Sequence, residues 1–411
     1  MSLSKIEKVL SKELDGLKER GSLKGEETVV MGVKQAQEGK GPRYFIQGYG
    51  DKEFLRMNSN SYLGMGLRKE IIETEEEAAR KFGAGPGAVR FISGTYEPHV
   101  ELEKRLARFH NREAGMIFSS AYATVMGILS PLISKDTIII SDELNHNCII
   151  NAIRLSRPKD KRIYSHNNMD ELDSDIKGCL GNCQRVIIVT DGIFSMRGDN
   201  ALLREIADLA EKYDSEFKEG ILTVVDDSHG VGAIGETGRG TMEFTHEDRV
   251  DILVSTMGKG LGINGGYLVS DAKVIDYLRE TAPFYIYSNP ITVSEASTAL
   301  KALEILDSDM GKRMLKYLRE TTAYFRKGLI NLGYEVIKGE HPVVPLMIRD
   351  TKKTIELVKY LKDNGILSTG LYYPVVPKGD EEIRFQICAD HTKYDIDYAL
   401  KVLEEYKGIH R

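Results

Sequence analysis

Leu222-Thr223-Val224-Val225-Asp226-Asp227-Ser228-His229-Gly230 is a short β-branched run that ends in two acids, a serine, a histidine and a glycine. An apolar run bounded by such a polar break reads as a buried strand, and the acids mark its carboxyl end. Runs of the same type recur at Met116-Ile117-Phe118, Thr137 to Ile140, Val186 to Val189, Ile252 to Ser255 and Tyr267 to Val269, with helical patterns between them. Strands alternating with helices predict an α/β layer with a mainly parallel central sheet. Ligands of such sheets bind beyond the carboxyl ends of the strands, where Ser119-Ser120, Asp191, Asp226 and Thr256 all fall. Four strand ends, far apart in sequence, deliver polar groups to one crevice.

Outward from this core the pattern changes after Asn289-Pro290. Helical periodicity runs from Thr292 to Leu306 and from Met314 to Leu332, followed by short strands at Glu335 to Ile337 and Val343 to Ile348. Another helix, Thr354 to Asn364, is stopped by Gly365, and Thr392 with Asp395 three residues on forms a capping-box pattern ahead of the last one. These features predict a smaller α+β C-terminal domain over 290–411, a large domain over 58–289, and an N-terminal arm and helix over 1–57. Between Met1 and Gly21, Leu3, Ile6, Leu10, Leu14 and Leu17 keep helical spacing among Lys and Glu, as in an amphipathic docking helix.

The chain has 411 residues, 41% hydrophobic and 29% charged, which gives a substantial core and ordinary globular composition. With a net charge of -6 and no basic block, a nucleic-acid partner is not expected, and an anionic ligand has to be met by local donors. There is no apolar stretch of the roughly 18 residues a membrane helix needs, so no membrane association is expected. The four cysteines, Cys148, Cys179, Cys183 and Cys388, form no disulfide framework and suit a reducing cytoplasm. Cys179 and Cys183 lack a histidine at ligand spacing, so no metal is expected.

Downstream of the acids lies Ser255-Thr256-Met257-Gly258-Lys259-Gly260-Leu261-Gly262. A lone lysine in a glycine-rich loop is ordinarily a solvated charge, and an Asp-Asp after an apolar run is ordinarily a strand-end turn. Together they suggest more. A lysine that forms a Schiff base needs a loop permitting close approach, and the pyridine ring of pyridoxal phosphate (PLP) needs an anion opposite its nitrogen. Two competing matches to a dinucleotide fingerprint, Gly230-x-Gly232-x-x-Gly235 and Gly260-x-Gly262-x-x-Gly265, fit poorly. The first runs on into loop sequence and the second into another strand.

Asn58-Ser59-Asn60-Ser61-Tyr62-Leu63-Gly64, Gly83-Ala84-Gly85-Pro86-Gly87-Ala88-Val89-Arg90, Asp191-Gly192-Ile193-Phe194-Ser195-Met196, Asp226-Asp227-Ser228-His229 and Thr256-Met257-Gly258-Lys259 resemble, in this order, the motifs of the α-oxoamine synthases. These are PLP enzymes that condense an amino acid with an acyl-CoA, and the resemblance covers nearly the whole chain. Within the family, Arg90-Phe91-Ile92-Ser93-Gly94-Thr95, Tyr287-Ser288-Asn289 and Tyr373-Pro374-Val375-Val376-Pro377-Lys378-Gly379 most resemble the 2-amino-3-ketobutyrate CoA ligases, also called glycine C-acetyltransferases. The 8-amino-7-oxononanoate synthases of biotin synthesis, and enzymes with both activities, share much of this text.

The resemblance implies the PLP-dependent aminotransferase-like fold (fold type I) and a cytoplasmic enzyme of threonine and glycine metabolism. Its substrates would be glycine and acetyl-CoA, and its products 2-amino-3-oxobutyrate and CoA. It further implies that Lys259 carries the cofactor and acts as base at Cα, and that Asp226 pairs with the ring nitrogen. His229 and Ser195 would face the ring's phenolic oxygen, and His146 would stack on the ring and give a proton to the thioester oxygen. Amides of Ala121 and Tyr122, with the Thr256 hydroxyl, would hold the phosphate. Ser288 would reach it from the partner of a homodimer with a shared active site, and Asn60 and Arg384 would hold the substrate carboxylate. Asn147-Cys148 departs from the usual Ala-Ser, Arg197 stands where an Asp is common, and Ser215 to Gly220 are extra. An aminotransferase or lyase on the same fold would need no acyl-CoA, and a binding protein would need no Lys259 with Asp226.

Overall fold

The computed structural model describes residues 3–20, 23, 25–373 and 375–409. Met1 and Gly21 of the N-terminal reading, and Pro374, lie outside them. The chain packs into two compact units: Asn60–Glu320 with Gly339–Pro342, and Met1–Ser59 with Thr321–Lys338 and Val343–Arg411.

The larger unit is built on a seven-stranded sheet in the order Ala114–Phe118, Gly266–Ser270, Ile252–Thr256, Ile221–Asp226, Arg185–Asp191, Thr137–Asp142, Asp160–Tyr164. The last five are mutually parallel, and Gly266–Ser270 runs antiparallel to both of its neighbours. The reversal has a plain cause. Only residues 257–265 separate Gly266–Ser270 from the strand before it, too few for the crossover that a parallel return requires. Sequence reading finds six of the seven strands. It misses Asp160–Tyr164, an edge strand that starts Asp-Lys-Arg and has one buried residue, so it carries no apolar run.

The helix Ala121–Leu132 lies on this sheet and packs against the helix Asn147–Ser156. Met116, Ile128, Ile139, Ile149, Ile187, Val224, Val254 and Leu268 join in one core. Gly266 is where sheet and helix meet most closely, since a Cβ there would lie 2.2 Å from the backbone nitrogen of Ala121. The helix Val293–Leu306, opened by a capping box of Thr292 and Glu295, packs on the helices Lys69–Phe82 and Glu97–Phe109. That packing keeps residues 290–320 in the larger unit, whereas the sequence reading divides the chain after Asn289.

The smaller unit has two four-stranded sheets. One is antiparallel, in the order Glu335–Val336, Val343–Met347, Glu382–Gln386, Thr369–Leu371. In the other, Val30–Lys34, Arg43–Ile46 and Glu53–Arg56 form a meander whose last strand pairs in parallel with Ile366–Leu367. This pairing, and the buried ion pair of Arg43 with Asp395, tie the N-terminal arm to the C-terminal segment in one body. The first helix, Leu3–Glu19, has no buried residue, and Leu3, Ile6, Leu10 and Leu14 are exposed. The extra residues Ser215 to Gly220 begin within a short 3-10 turn, Asp214–Glu216, and the Asp214 carboxylate closes the loop by accepting from Ile221 N at 2.8 Å. Among the described residues no helix is long and apolar enough to cross a membrane.

Candidate active site

The carboxyl ends of the parallel strands open on a cleft of about 260 Å³ lined by Ser120, Ala121, Tyr122, His146, Cys148, Asp191, Ile193, Asp226, Ser228, His229, Thr256 and Lys259. Seven of the residues that the resemblance singled out meet here: Ala121, Tyr122, His146, Asp226, His229, Thr256 and Lys259.

Asp226, the last residue of its strand, is buried. Its Oδ1 accepts from the Ser228 backbone nitrogen at 3.1 Å and from the Ser228 hydroxyl at 2.5 Å. Its Oδ2 lies 3.6 Å from the Cys148 sulfur. The next residue faces the other way, as strand alternation demands. Asp227 accepts from Thr241 N at 2.7 Å and from the Thr241 hydroxyl at 2.5 Å, anchoring the far end of the 228–240 loop. Burial pushes the Asp227 pKa up to about 7, against the pull of the Thr241 donors. That loop contains one of the fingerprint-like glycine sets. Gly232 and Gly235 have φ of 70° and 83° and serve its tight path, and the next helix, Thr241–Thr245, does not open at the glycines as a dinucleotide site requires.

Asp191 is the register partner of Asp226 on the neighbouring strand. Its Oδ2 accepts from His146 N at 2.8 Å, and its own backbone nitrogen donates to Asn145 Oδ1 at 2.7 Å. Asn145 in turn donates to Ser141 Oγ and Val189 O, both at 2.8 Å, so the turn that presents His146 is stitched to two strands. Burial, reinforced by the charge of Asp226, holds the Asp191 carboxyl well above the usual carboxylate range. His146 Nδ1 accepts from Cys148 N at 3.3 Å, which leaves Nε2 to carry the ring proton. Burial lowers the His146 pKa, Asp226 opposes this, and Lys259 adds to it, so the ring is held neutral.

His229 is oriented from behind. Tyr62 Oη lies 2.7 Å from its Nδ1, and the buried ring of His341 lies 2.8 Å from its carbonyl oxygen. Tyr62 stands in a quoted motif with no role assigned to it. His341 gives no sequence signal, being a lone histidine 112 positions away. Lys259 is half-buried in the 257–265 connection, whose two ends are clasped by the Thr256 hydroxyl, donating to Gly265 O at 3.1 Å and accepting from Gly258 N at 3.1 Å. The Thr256 hydroxyl proton is therefore already used within the loop.

Other expected residues are placed elsewhere. Ser195 lies in the turn after Asp191 and Ser288 just after the helix Pro283–Ile286, and neither lines the cleft. Asn60 opens the larger unit, 3.5 Å from the Tyr62 hydroxyl, and Arg384 lies on the strand Glu382–Gln386 of the smaller unit. The Ser195 turn is latched by His166, whose Nδ1 is 3.2 Å from Asp142 Oδ1 and whose Nε2 is 3.2 Å from Asp199 Oδ2. Burial works against a charge on His166, but the two carboxylates outweigh it and push its pKa up to about 9. His99 and His391 are spent on backbone groups: His99 caps its helix by accepting from Tyr96 N, and His391 accepts from Cys388 N.

The set suits PLP. A buried carboxylate, a half-buried lysine and a neutral imidazole converge beside the first turn of a twelve-residue helix. At that turn the Ser120 hydroxyl caps Ala123 N, and the glycine at 266 allows the sheet to approach Ala121. Residues 52–403 match the family model for aminotransferase class I and II. An 8-amino-7-oxononanoate synthase of Bacillus pumilus is 41% identical over 356 residues, 86% of this chain and 88% of the relative. An 8-amino-7-oxononanoate synthase 1 of Bacillus subtilis is 36% identical over 397 residues, 96% of this chain and 98% of the relative. Among solved structures, a Sphingomonas wittichii serine palmitoyltransferase superposes with a TM-score of 0.86 at 25% identity, covering 98% of this chain and 97% of its own. A serine palmitoyltransferase from S. paucimobilis with bound PLP-myriocin aldimine does so at 0.85 and 26%, with coverage of 98% and 97%. These relatives bear the name of the sequence reading's alternative branch or of a sister synthase. They give no support to glycine, acetyl-CoA or threonine breakdown.

Proposed function

From the premise that this chain belongs to the aminotransferase class I and II family, and is a PLP-dependent enzyme of the α-oxoamine synthase kind, we propose that it makes 8-amino-7-oxononanoate. The relatives' shared name, at 41% identity across most of both chains, carries this reading. The product's structure defines its precursors. Carbons 1 to 7 come from a seven-carbon dicarboxylic acid bound as its CoA thioester, and carbons 8 and 9 come from alanine after loss of its carboxyl. A bond forms between the alanine Cα and the thioester carbon. The thioester C–S bond and the Cα–carboxyl bond break, releasing CoA and CO2.

PLP supplies the electron sink that makes the Cα proton acidic. In this reading Lys259 binds the cofactor and takes that proton, and Asp226, held by Ser228, keeps the ring nitrogen protonated. An ion pair near 4 Å is worth roughly 4 kcal/mol at an effective dielectric of 20, enough for that task. Neutral His146, with its proton on Nε2, would lie against the ring and give that proton to the thioester oxygen, while His229, backed by Tyr62, would meet the phenolic oxygen, with Ser195 reaching it from the turn outside the cleft lining. The first-turn amides of Ala121 and Tyr122 would bind the phosphate, and the Thr256 hydroxyl, which now donates to Gly265 O, would add a side-chain donor. Ser288 from a second subunit completes the phosphate site. A homodimer of this kind would cover Phe91, Ile92 and Tyr287, whose side chains are exposed. Asn60 and Arg384 hold the amino acid carboxylate until it leaves, Arg384 through its planar fork.

The fate of that carboxyl tests the assignment. With carboxyl-labelled alanine and the seven-carbon acyl-CoA, labelled CO2 should appear in step with free CoA, after correction for spontaneous decay of any β-keto acid. Efficient turnover of glycine and acetyl-CoA instead, with the label kept and trapped by reduction to threonine, would return the chain to the glycine acetyltransferase branch.

A further inference from the structure

Cys148 stands where the resembling family has a serine, and its side chain is placed between two groups of the site. Its sulfur lies 3.0 Å from His146 Nδ1 and 3.6 Å from Asp226 Oδ2, and its backbone nitrogen donates to the same His146 Nδ1 at 3.3 Å. The residue is 1% exposed. We propose that Cys148 is a positioning residue: its thiol donates to the Asp226 carboxylate and its backbone nitrogen to the His146 ring, so that one residue fixes the orientation of both toward the cofactor. The proposal rests on the cofactor roles assigned above to Asp226 and His146.

Hydrogen-bond capacity assigns the thiol proton. A neutral imidazole has one acceptor nitrogen, and the Cys148 backbone nitrogen already donates to it, so the S–H proton turns to Asp226 Oδ2. Burial, with the nearby charges of Asp226 and Asp191, pushes the thiol pKa up, so the sulfur keeps its proton and acts as a donor. Oδ1 of Asp226 is taken by both donors of Ser228, so the thiol is what holds Oδ2, the oxygen left to meet a ring nitrogen. The other charged groups about this point are Asp191 on the adjacent strand and Lys259 across the cleft. The competing explanation is packing alone, since Cys148 also belongs to the hydrophobic core of the larger unit.

The two explanations separate in the holoenzyme's visible spectrum. Cys148→Ala removes the donor and Cys148→Ser restores one, while thermal melting of each variant reports on packing. Without the thiol, Oδ2 loses its donor and the carboxylate is free to turn away from the ring nitrogen, so it supports the charged ring less. The pH midpoint of the cofactor's visible band should then rise by up to about one unit in Cys148→Ala, the scale of one hydrogen bond to a charged group. In Cys148→Ser the midpoint should return to the wild-type value. If alanine and serine variants both fold and both titrate like wild type, Cys148 only fills space and the proposal fails. A shift of the same size in both variants would also overturn it, because donor chemistry would then not matter. Failure of the cofactor reading itself would show earlier, as a wild-type protein without a visible band.

Discussion

The floor of the cleft and the 228–240 loop begin at adjacent residues, Asp226 and Asp227, and are built on opposite principles. Asp227 gives its carboxylate to a backbone nitrogen and a hydroxyl of one residue, Thr241, far from any ligand, and it is wholly buried. Asp226 is held at one oxygen by Ser228, and its other oxygen lies 3.6 Å from the thiol of Cys148 at the cleft. A buried acid saturated by its own fold closes a loop, and a buried acid with an oxygen left open is available to a ligand. Strand alternation alone makes the distinction.

The largest expected effect lies on the open side. Lys259→Ala should lower turnover by at least about ten-thousandfold, the upper range for a positioned acid–base group, with the fold intact by circular dichroism. Borohydride reduction of the wild-type holoenzyme should place the pyridoxyl adduct on Lys259, and an adduct on another lysine would dismantle the site.

Asp226→Asn should reduce the rate by about a hundredfold, comparable to losing one preorganised electrostatic contact, and leave the melting temperature close to wild type. Near-normal rates would remove the contrast between the two acids.

Asp227→Asn should behave in the reverse way, costing about 1–3 kcal/mol of stability for a mispaired buried polar group and changing the rate little. It should also change the pH dependence. A carboxyl held at about 7 in the folded state binds its proton more tightly than the unfolded chain, near 4, so its contribution is present in acid and is lost as pH rises between them. Denaturant midpoints across that range should fall in wild type and be flatter in Asp227→Asn.

The smallest effect belongs to the His166 latch. Its folded pKa is raised to about 9, so its contribution is complete below the unfolded value near 6.5 and is lost as pH rises through about 9. His166→Gln should cost about 1 kcal/mol at pH 6 and almost nothing above pH 9, read from denaturant melts at both values.

Much of this was legible in the sequence because it rests on short-range signals. Six central strands announce themselves as apolar runs, and the polar strand ends beyond them give Asp191, Asp226 and Thr256. Lys259 is legible through its glycines, whereas Ala121 enters only through the family resemblance. What escaped depends on long-range contact. The Tyr62, His229 and His341 cluster joins residues up to 279 positions apart, which no local pattern encodes. The place of residues 293–306 in the larger unit is set by one helix packing on two others. The choice of branch rested on three short stretches, Arg90 to Thr95, Tyr287-Ser288-Asn289 and Tyr373 to Gly379, which similarity over most of the chain outweighs.

Asp191 and Asp226 stand side by side on adjacent parallel strands, in register and both buried. For the polypeptide before it meets its cofactor this is a locally frustrated arrangement, two acids competing for protons under poor hydration. On the role proposed for Asp226, the cofactor relieves this pair as well as serving the reaction. At a cofactor concentration a hundred times its dissociation constant, mass action adds about 2.7 kcal/mol to the folded state. A preparation stripped of cofactor should therefore unfold at lower denaturant than the loaded protein.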